Sequence, residues 1–198
     1  MSARATCPRC LLAQSACICP LITPTAHASE VLILQHPLET HHAKNSARLL
    51  HLSLPGSRLL VGEKFDAAAW QVPNDPRYTV LLYPPTLTQG HATAAALDLA
   101  RLTQPAQVRL IVLDATWRKS RKMLHQSPAL QRLPRLALTD VPPPRYAIRK
   151  AHQPGQLSTL ESTCAALAQL EGNAAHWQAL LSAFDQFVAQ RQAFAVKK

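Results

Sequence analysis

Short apolar runs that stop abruptly at a polar residue or a proline recur along the chain and divide it into a series of elements. Runs of this length, rich in β-branched and aliphatic residues and bounded by turn-forming residues, indicate buried strands. We therefore predict strands over residues 30–35, 58–62, 77–83, 108–113 and 133–138.

Helices are predicted between and after these strands. Residues 46–52 and the alanine-rich residues 92–102 read as helical, and Ser158 with Glu161 matches the capping box that opens a helix. A final helix over 175–191 has a single apolar stripe, which predicts packing against a core, formed by Trp177, Leu180, Leu181, Phe184, Phe187 and Val188. This alternation predicts an α/β fold with a mainly parallel sheet.

Charge narrows the class of partner more than length does. The 198 residues and 47% hydrophobic content suit one domain with a small appendage. The net charge is +10, and residues 118–150 hold nine Lys and Arg against one acid, Asp140. Such a cluster is either a solvated face or a surface for a polyanion. Because neither a membrane span nor a signal peptide is recognisable, we expect a cytoplasmic protein that needs no membrane. We also expect a monomer.

Four of the five cysteines lie near the amino terminus, with the spacing C-x2-C-x6-C-x-C. In a cytoplasmic protein, clustered cysteines favour a metal over disulfides, and four thiolates complete a tetrahedral zinc site. We predict structural zinc bound by Cys7, Cys10, Cys17 and Cys19; the alternatives are a redox pair or unliganded thiols. We therefore expect two units, a zinc knuckle over residues 1–28 and an α/β domain over residues 29–198.

The predicted strand over 108–113 is followed by Asp114, Thr116 and Trp117. Four cations in five residues come next. In open α/β sheets, ligands bind outside the carboxyl ends of the strands, so this stretch is a candidate site. The alternative is purely structural: Asp114 or Thr116 caps a helix, and Trp117 belongs to the core. The first strand is followed by a second polar loop, residues 36–45, which we expect to contact a cofactor or RNA phosphate rather than a metal.

The sequence Asp114-Ala115-Thr116-Trp117 resembles the signature of the DTW-domain family. Further segments resemble the same family in the expected order: the cysteine-rich start, His36-Pro37, Tyr83-Pro84-Pro85, and Ser158-Thr159-Leu160-Glu161. The resemblance implies an enzyme that transfers the 3-amino-3-carboxypropyl group of S-adenosylmethionine to N3 of a uridine in tRNA, releasing methylthioadenosine. It also implies a SPOUT-like sheet that can be knotted.

On this resemblance, Asp114 is expected to act as the general base or to position the N3–H group, with a pKa raised by burial. Thr116 is expected to hydrogen-bond the cofactor, and Trp117 to stack on uracil or adenine. Contacts to S-adenosylmethionine are expected from Leu82, Pro84, Leu113, Ser158 and Thr159. Contacts to tRNA phosphates are expected from Arg118, Lys119, Arg121, Lys122, Arg145 and Arg149.

Two other functions remain open on the sequence. The same cofactor could donate its methyl group, which would make the protein a tRNA methyltransferase. Alternatively, a zinc-knuckle protein could bind RNA without catalysis, in which case RNA binding would not depend on Asp114.

Overall fold

The structure is a computed structural model that describes residues 5–85, 94–140, 143–145 and 157–196. Within this part of the chain, all strands lie parallel in one sheet of order β2-β1-β4-β3-β5. The strands are β1 (Glu30–Gln35), β2 (Arg58–Val61), β3 (Tyr78–Leu82), β4 (Val108–Asp114) and β5 (Arg135–Leu136). The predicted α/β class and parallel sheet are therefore confirmed. The knot and the domain boundary at residue 28 stay predictions.

Helices cover both faces of the sheet. They are α1 (Ala47–Ser53), α2 (Leu99–Leu102), α3 (Trp117–Gln126), α4 (Pro128–Gln131), α5 (Thr159–Glu171) and α6 (Gln178–Val196). Val31 and Ile33 of β1 belong to a core that contains residues of α1, α5 and α6, whereas Leu32 and Leu34 belong to a second core with residues of α3 and α4. Because successive strand residues point to opposite faces, a strand covered on both sides must be continuously apolar.

The amino-terminal cysteine segment packs on the same core as the sheet. Cys10 and Ile18 are fully buried in the cluster that also contains the inner face of α6. Near its end, α6 also holds the segment by hydrogen bonds, from Arg191 Nη2 to the Ala16 carbonyl (2.9 Å) and from Gln190 Nε2 to the Cys17 carbonyl (3.2 Å). The two ends of the described chain are thus tied together.

The helix predicted over 92–102 is wrong for most of its length. Residues 94–98 are not helical, and residues 92–93 lie outside the described part of the chain. The Asp98 carboxylate accepts hydrogen bonds from the backbone of Ala100 and Arg101, so the helix begins only at Leu99. The Asp98 N–H donates to the Tyr78 hydroxyl instead of continuing a helix. Local capping outweighed alanine propensity.

The boundaries of two further elements differ from prediction. The strand over 133–138 is reduced to β5, and the last helix begins at Gln178 after a 3₁₀ turn, Ala175–Trp177. The predicted apolar stripe of this helix is buried in the core, with Leu181 partly so. No helix in the described ranges has the length and apolarity that crossing a bilayer would take.

The strand order creates a switch point between β1 and β4. These strands are neighbours, but the chain leaves β1 toward β2 on one side and leaves β4 toward β5 on the other. Diverging connections open a crevice outside the carboxyl ends of the two strands, where ligands bind in open α/β sheets. We call this the β1/β4 edge.

Candidate functional site at the β1/β4 edge

Asp114 lies at the centre of the β1/β4 edge. It is the last residue of β4, pairs in register with Gln35, the last residue of β1, and is only 2% exposed. Its Oδ2 accepts hydrogen bonds from Gln35 Nε2 (2.8 Å) and Asn45 Nδ2 (2.6 Å), and its Oδ1 accepts one from the Thr159 hydroxyl (2.7 Å). One carboxylate therefore joins β1, the loop before α1 and the start of α5.

The environment of Asp114 changes its proton affinity. Burial raises the pKa of Asp114, while the hydrogen bonds from Gln35, Thr159 and Asn45 oppose that rise and the charge of Glu39 adds to it. The dominant cause is loss of hydration, which penalises the charged form. The upward direction predicted from the sequence is confirmed.

Gln35 presents a second polar atom at this edge. Its Nε2 is occupied by Asp114, but its Oε1 is buried and has no hydrogen-bond partner among the described residues. A buried carbonyl oxygen without a partner is costly, so such an atom calls for a donor from another group. Asp114 Oδ1 also accepts only one hydrogen bond from these residues, although a carboxylate oxygen has two lone pairs.

Two residues after Asp114, Thr116 is the N-cap of α3 and Trp117 is its first residue. The Thr116 hydroxyl oxygen accepts a hydrogen bond from the Lys119 N–H (3.4 Å), so the capping role considered for Thr116 is confirmed. Trp117 is half-buried and stacks on Tyr83 with ring centroids 5.2 Å apart and planes 9° apart. One face of the indole is therefore covered by protein, and a ligand ring could lie only against the other.

The start of α5 forms the third side of the edge. Ser158 and Glu161 form the predicted capping box, with Ser158 Oγ accepting from the Glu161 N–H (3.2 Å) and Glu161 Oε2 accepting from the Ser158 N–H (2.8 Å). The Ser158 side chain is thus used within the helix start, while Thr159 reaches Asp114. Ser46 Oγ accepts from the Leu160 N–H (3.4 Å), so the beginnings of α1 and α5 are also joined.

Three of the residues predicted to contact S-adenosylmethionine lie at strand ends near this edge. Leu113 is paired with Leu34 of β1 and is half-buried. Leu82 is also half-buried, and it ends β3 beside Val112 of β4. Pro84 is exposed two residues beyond β3. The fold therefore brings the predicted contacts to the carboxyl side of neighbouring strands.

The predicted phosphate-binding cations differ in their surroundings. Lys119 pairs with Glu39 (2.9 Å), Lys122 with Glu63 (2.8 Å) and Arg145 with Asp185 (2.7 Å). Arg118 and Arg121 are exposed on α3, and neither forms an ion pair with any residue that the structure describes. Arg149 lies outside the described residues.

The four amino-terminal cysteines come together as predicted. Their sulfur atoms all lie within 4.8 Å of one another, with Cys7 Sγ 3.6 Å from Cys19 Sγ and Cys10 Sγ 3.8 Å from Cys17 Sγ. Tetrahedral coordination with zinc–sulfur bonds of about 2.3 Å places sulfurs roughly 3.8 Å apart, so the cluster can hold a metal ion. Backbone N–H groups of Cys10 and Arg9 lower the pKa of Cys7 to about 6, whereas burial and the neighbouring thiols raise the pKa of Cys19 to about 12, so the thiols of the metal-free cluster differ in how readily they ionise.

The sequence predicts Asp114 and the loop over residues 36–45 at the site, but not that Gln35, Asn45 and Glu39 lie beside Asp114. Gln35 ends a predicted strand, and Glu39 and Asn45 lie in that loop. The available signal was positional, because Gln35 and Asp114 are polar residues that end two apolar runs. In a parallel sheet such ends meet at one edge, but the strand order that makes β1 and β4 neighbours is not written in either run.

Comparison with known proteins identifies relatives of the chain. The family described as DTW domain matches residues 4–192. A tRNA-uridine aminocarboxypropyltransferase 2 of Drosophila melanogaster is 32% identical over 177 residues, covering 85% of this chain and 67% of that protein. Its namesake in Mus musculus is 32% identical over 180 residues, covering 86% of this chain and 58% of that protein.

A plant relative is similar over a shorter stretch. The tRNA-uridine aminocarboxypropyltransferase A of Arabidopsis thaliana is 30% identical over 145 residues, covering 65% of this chain and 53% of that protein. The chain thus spans between about half and two thirds of the length of these relatives. No solved structure matches it.

Proposed function

This chain belongs to the DTW domain family, and from that premise we propose that it transfers the 3-amino-3-carboxypropyl group of S-adenosylmethionine to N3 of a uridine in tRNA. The curated relatives named for this activity support the proposal. The observation that carries it is the β1/β4 edge, where a buried carboxylate, an amide oxygen with no partner among the described residues and a half-buried indole lie at the start of a helix that carries exposed cations. The SPOUT-like knotted path belongs to the same proposal.

In this reaction, the β1/β4 edge has to bind a cationic donor and a uridine that loses one proton. Uridine N3 forms a bond to the methylene carbon attached to sulfur, the carbon–sulfur bond breaks, and methylthioadenosine leaves with the electron pair. The N3 proton is released, so charge balances as the sulfonium cation becomes a neutral thioether. The protein has to orient N3–H, expose the correct carbon and exclude competing water.

We assign the orientation of N3–H to Asp114. Of the two roles considered for this residue, positioning has more support, because three protein donors fix the carboxylate and, among the described residues, one lone pair of Oδ1 has no donor and suits an N–H group. The raised pKa agrees with a further role as proton acceptor, since an ordinary aspartate is a weak base at neutral pH.

The remaining edge residues fit binding roles. Trp117, covered on one face by Tyr83, offers its other face to uracil or adenine. Leu82, Pro84, Leu113, Ser158 and Thr159 are the proposed contacts of the donor, with Thr116 at the start of α3. Arg118 and Arg121 are the strongest candidates for tRNA phosphates, because no described acid competes for them.

We propose that the metal of the cysteine cluster is zinc and that its role is structural. The distances between the sulfurs fit a tetrahedral four-thiolate site. Four protein ligands leave no open coordination position for a substrate. Cys7, Cys10, Cys17 and Cys19 would hold the ion, which would link the two cysteine pairs and stabilise a segment that packs on α6.

The test is mass spectrometry of nucleosides from tRNA incubated with the purified protein and S-adenosylmethionine, compared with Asp114→Asn. Asparagine can keep the hydrogen-bonded shape: its oxygen accepts from Gln35 and Asn45, and its amide can donate to the Thr159 hydroxyl. We expect an aminocarboxypropyl-uridine and methylthioadenosine with the wild type. The rate with Asp114→Asn should be at least about 10²-fold lower than that of the wild type.

Other products would point to the other functions. A methylated nucleoside with S-adenosylhomocysteine would overturn the proposed reaction in favour of a methyltransferase. Unmodified tRNA that binds equally to wild type and Asp114→Asn would favour an RNA-binding protein without catalysis.

A further inference from the structure

Glu39 is a buried acid beside the β1/β4 edge, within the loop over residues 36–45 that the sequence predicts to contact a cofactor or RNA phosphate. It ends the short 3₁₀ turn Pro37–Glu39 that follows β1, and it is 2% exposed. Its Oε1 accepts a hydrogen bond from Lys119 Nζ at 2.9 Å. Burying a carboxylate is costly unless it is paired, so the pairing with Glu39 favours a fixed position for the Lys119 ammonium group.

The ammonium group that Glu39 holds is recessed. The Lys119 side chain is 28% exposed, whereas Lys122, one turn later on α3 and paired with Glu63, is 54% exposed. Lys119 lies two residues after Trp117, and its backbone N–H donates to Thr116. A lysine is normally a mobile charge on a flexible stem, and a buried partner restricts that freedom. Lys119 is therefore a fixed cation next to the reacting edge.

The charges at this edge match the donor better than they match RNA. Glu39 and Asp114 are both acids, and the charge of Glu39 is close enough to act on Asp114. Two acids and one recessed ammonium group therefore lie on the inner side of the edge, while Arg118 and Arg121 are exposed on α3. S-adenosylmethionine carries a sulfonium, an ammonium and a carboxylate, hence a net positive charge. A phosphate diester is an anion and is repelled by two acids, so the donor is the better complement.

We propose that Lys119 binds the carboxylate of the aminocarboxypropyl arm and that Glu39 is the residue that positions Lys119. The inference rests on the proposed function and deepens it, and it assigns Lys119 to the donor rather than to the tRNA phosphates. Anchoring the carboxylate fixes the far end of the arm. The methylene carbon beside sulfur, rather than the methyl carbon, is then directed at the nucleophile.

Binding of two ligands to the full-length protein tests the assignment. S-adenosylmethionine carries the arm, and methylthioadenosine lacks it but keeps the adenosine and sulfur. By calorimetry, Lys119→Met should weaken S-adenosylmethionine binding about tenfold or more and leave methylthioadenosine binding unchanged. Lys119→Arg, which keeps a cation, should retain more of the affinity than Lys119→Met.

The role of Glu39 is tested by a double-mutant cycle. Glu39→Gln should weaken S-adenosylmethionine binding by a few-fold, and adding it to Lys119→Met should produce little further loss, because Glu39 acts through Lys119. Glu63→Gln is the matched control on the neighbouring, more exposed pair, and it should leave both affinities unchanged.

Three outcomes would overturn the assignment. Equal weakening of both ligands in Lys119→Met would mean a structural role. Unchanged affinity for both, with a salt dependence of tRNA binding reduced by about one, would make Lys119 a phosphate contact. Additive losses in the cycle would separate Glu39 from Lys119. Because these readouts need no turnover, tRNA left unmodified by a protein that binds the donor would count against the proposed reaction alone.

Discussion

At the scale of single residues, the most constrained group is the Asp114 carboxylate. A charge at 2% exposure would be prohibitive without partners, and three neutral donors from distant parts of the chain supply them. Because those donors carry no net charge, they offset burial only in part, and the pKa of Asp114 remains above its ordinary value. The carboxylate is therefore held firmly in position, although its ionisation is unfavourable.

This balance predicts a pH dependence of stability. The folded state binds the Asp114 proton more tightly than the unfolded state does, so the stability that the raised pKa contributes is fully present below the unfolded pKa of about 3.9 and is lost as the pH rises through the folded pKa. Asp114→Asn has no such loss. Urea unfolding at a series of pH values should show the stability of Asp114→Asn relative to wild type increasing with pH above about 4.

If the stability of Asp114→Asn relative to wild type stayed constant or decreased with pH, Asp114 would be ionised without penalty in the folded state. Thr159→Ser is a suitable control, because it keeps the hydroxyl that donates to Asp114 and should follow the wild-type profile.

Residue-scale prediction from the sequence succeeded where one stretch contained the whole signal. Asp114, Thr116 and Trp117 are adjacent to a strand end, so their place at an edge followed from the apolar run before them. The partners of Asp114 did not follow, because Gln35 and Asn45 are separated from it by 79 and 69 residues. Such contacts depend on strand order, which is set by packing of the whole sheet.

At the scale of elements, prediction was best for the central strands. β1 and the strand ending at Asp114 lie within a residue of the predicted bounds, because they are covered on both faces and have to be apolar throughout. The prediction of a longer helix before α2 was wrong, because the Asp98 side chain caps the helix and the Asp98 N–H donates to the Tyr78 hydroxyl just before Leu99. Weak propensities are easily overridden by such specific hydrogen bonds.

The amino ends of the strands are joined by an ion-pair network centred on Arg109 of β4. Its guanidinium, 3% exposed, donates to Glu30 of β1 (2.7 Å), to Asp75 and to the Trp70 carbonyl. Arg77 pairs with the same two acids but is 39% exposed. Arg109→Met should lower the free energy of unfolding by about 2 kcal/mol, since it removes the buried donor shared by Glu30, Asp75 and the Trp70 carbonyl.

The exposed partner is the matched control. Arg77→Met should lower the free energy of unfolding by less than about 1 kcal/mol, because solvent screens exposed pairs. Both values can be measured by urea denaturation at neutral pH. Equal costs would show that the acids, rather than the buried guanidinium, set the strength of the network.

At the scale of the whole molecule, the net charge of +10 gives tRNA a general attraction, and individual cations decide where it acts. Arg121→Ala should weaken tRNA binding and lower the slope of log affinity against log salt by about one. Arg101→Ala is the charge-matched control, because Arg101 lies over the Tyr78 ring at the opposite end of the sheet. A slope reduced equally by both variants would mean that the attraction is diffuse.

The cysteine cluster should also act on the whole molecule. Cys10 and Ile18 share the core of the sheet, so loss of the metal should loosen that core rather than one appendage. Chelation should lower the thermal midpoint by at least about 5 °C. In a chain of this size, that shift corresponds to a loss of roughly 1–2.5 kcal/mol in the free energy of unfolding. Calorimetry measures the midpoint, and elemental analysis should find one zinc ion per chain.

Two cysteine variants separate the cluster from a buried thiol elsewhere. Cys19→Ser should lose the metal, whereas Cys164→Ala, in the middle of α5, should keep it. A chelated protein with an unchanged midpoint would contradict a stabilising role for the metal.

The stack of Trp117 on Tyr83 makes the molecule its own optical reporter. The chain has three tryptophans, and Trp70 and Trp177 are 2% and 1% exposed, whereas Trp117 is half-buried at the β1/β4 edge. A small quencher dissolved in water therefore reaches the emission of Trp117 preferentially. A ligand ring that stacks on the other face of Trp117 protects its emission from the quencher. Fluorescence quenching of the unlabelled protein therefore reports whether a ligand occupies the edge.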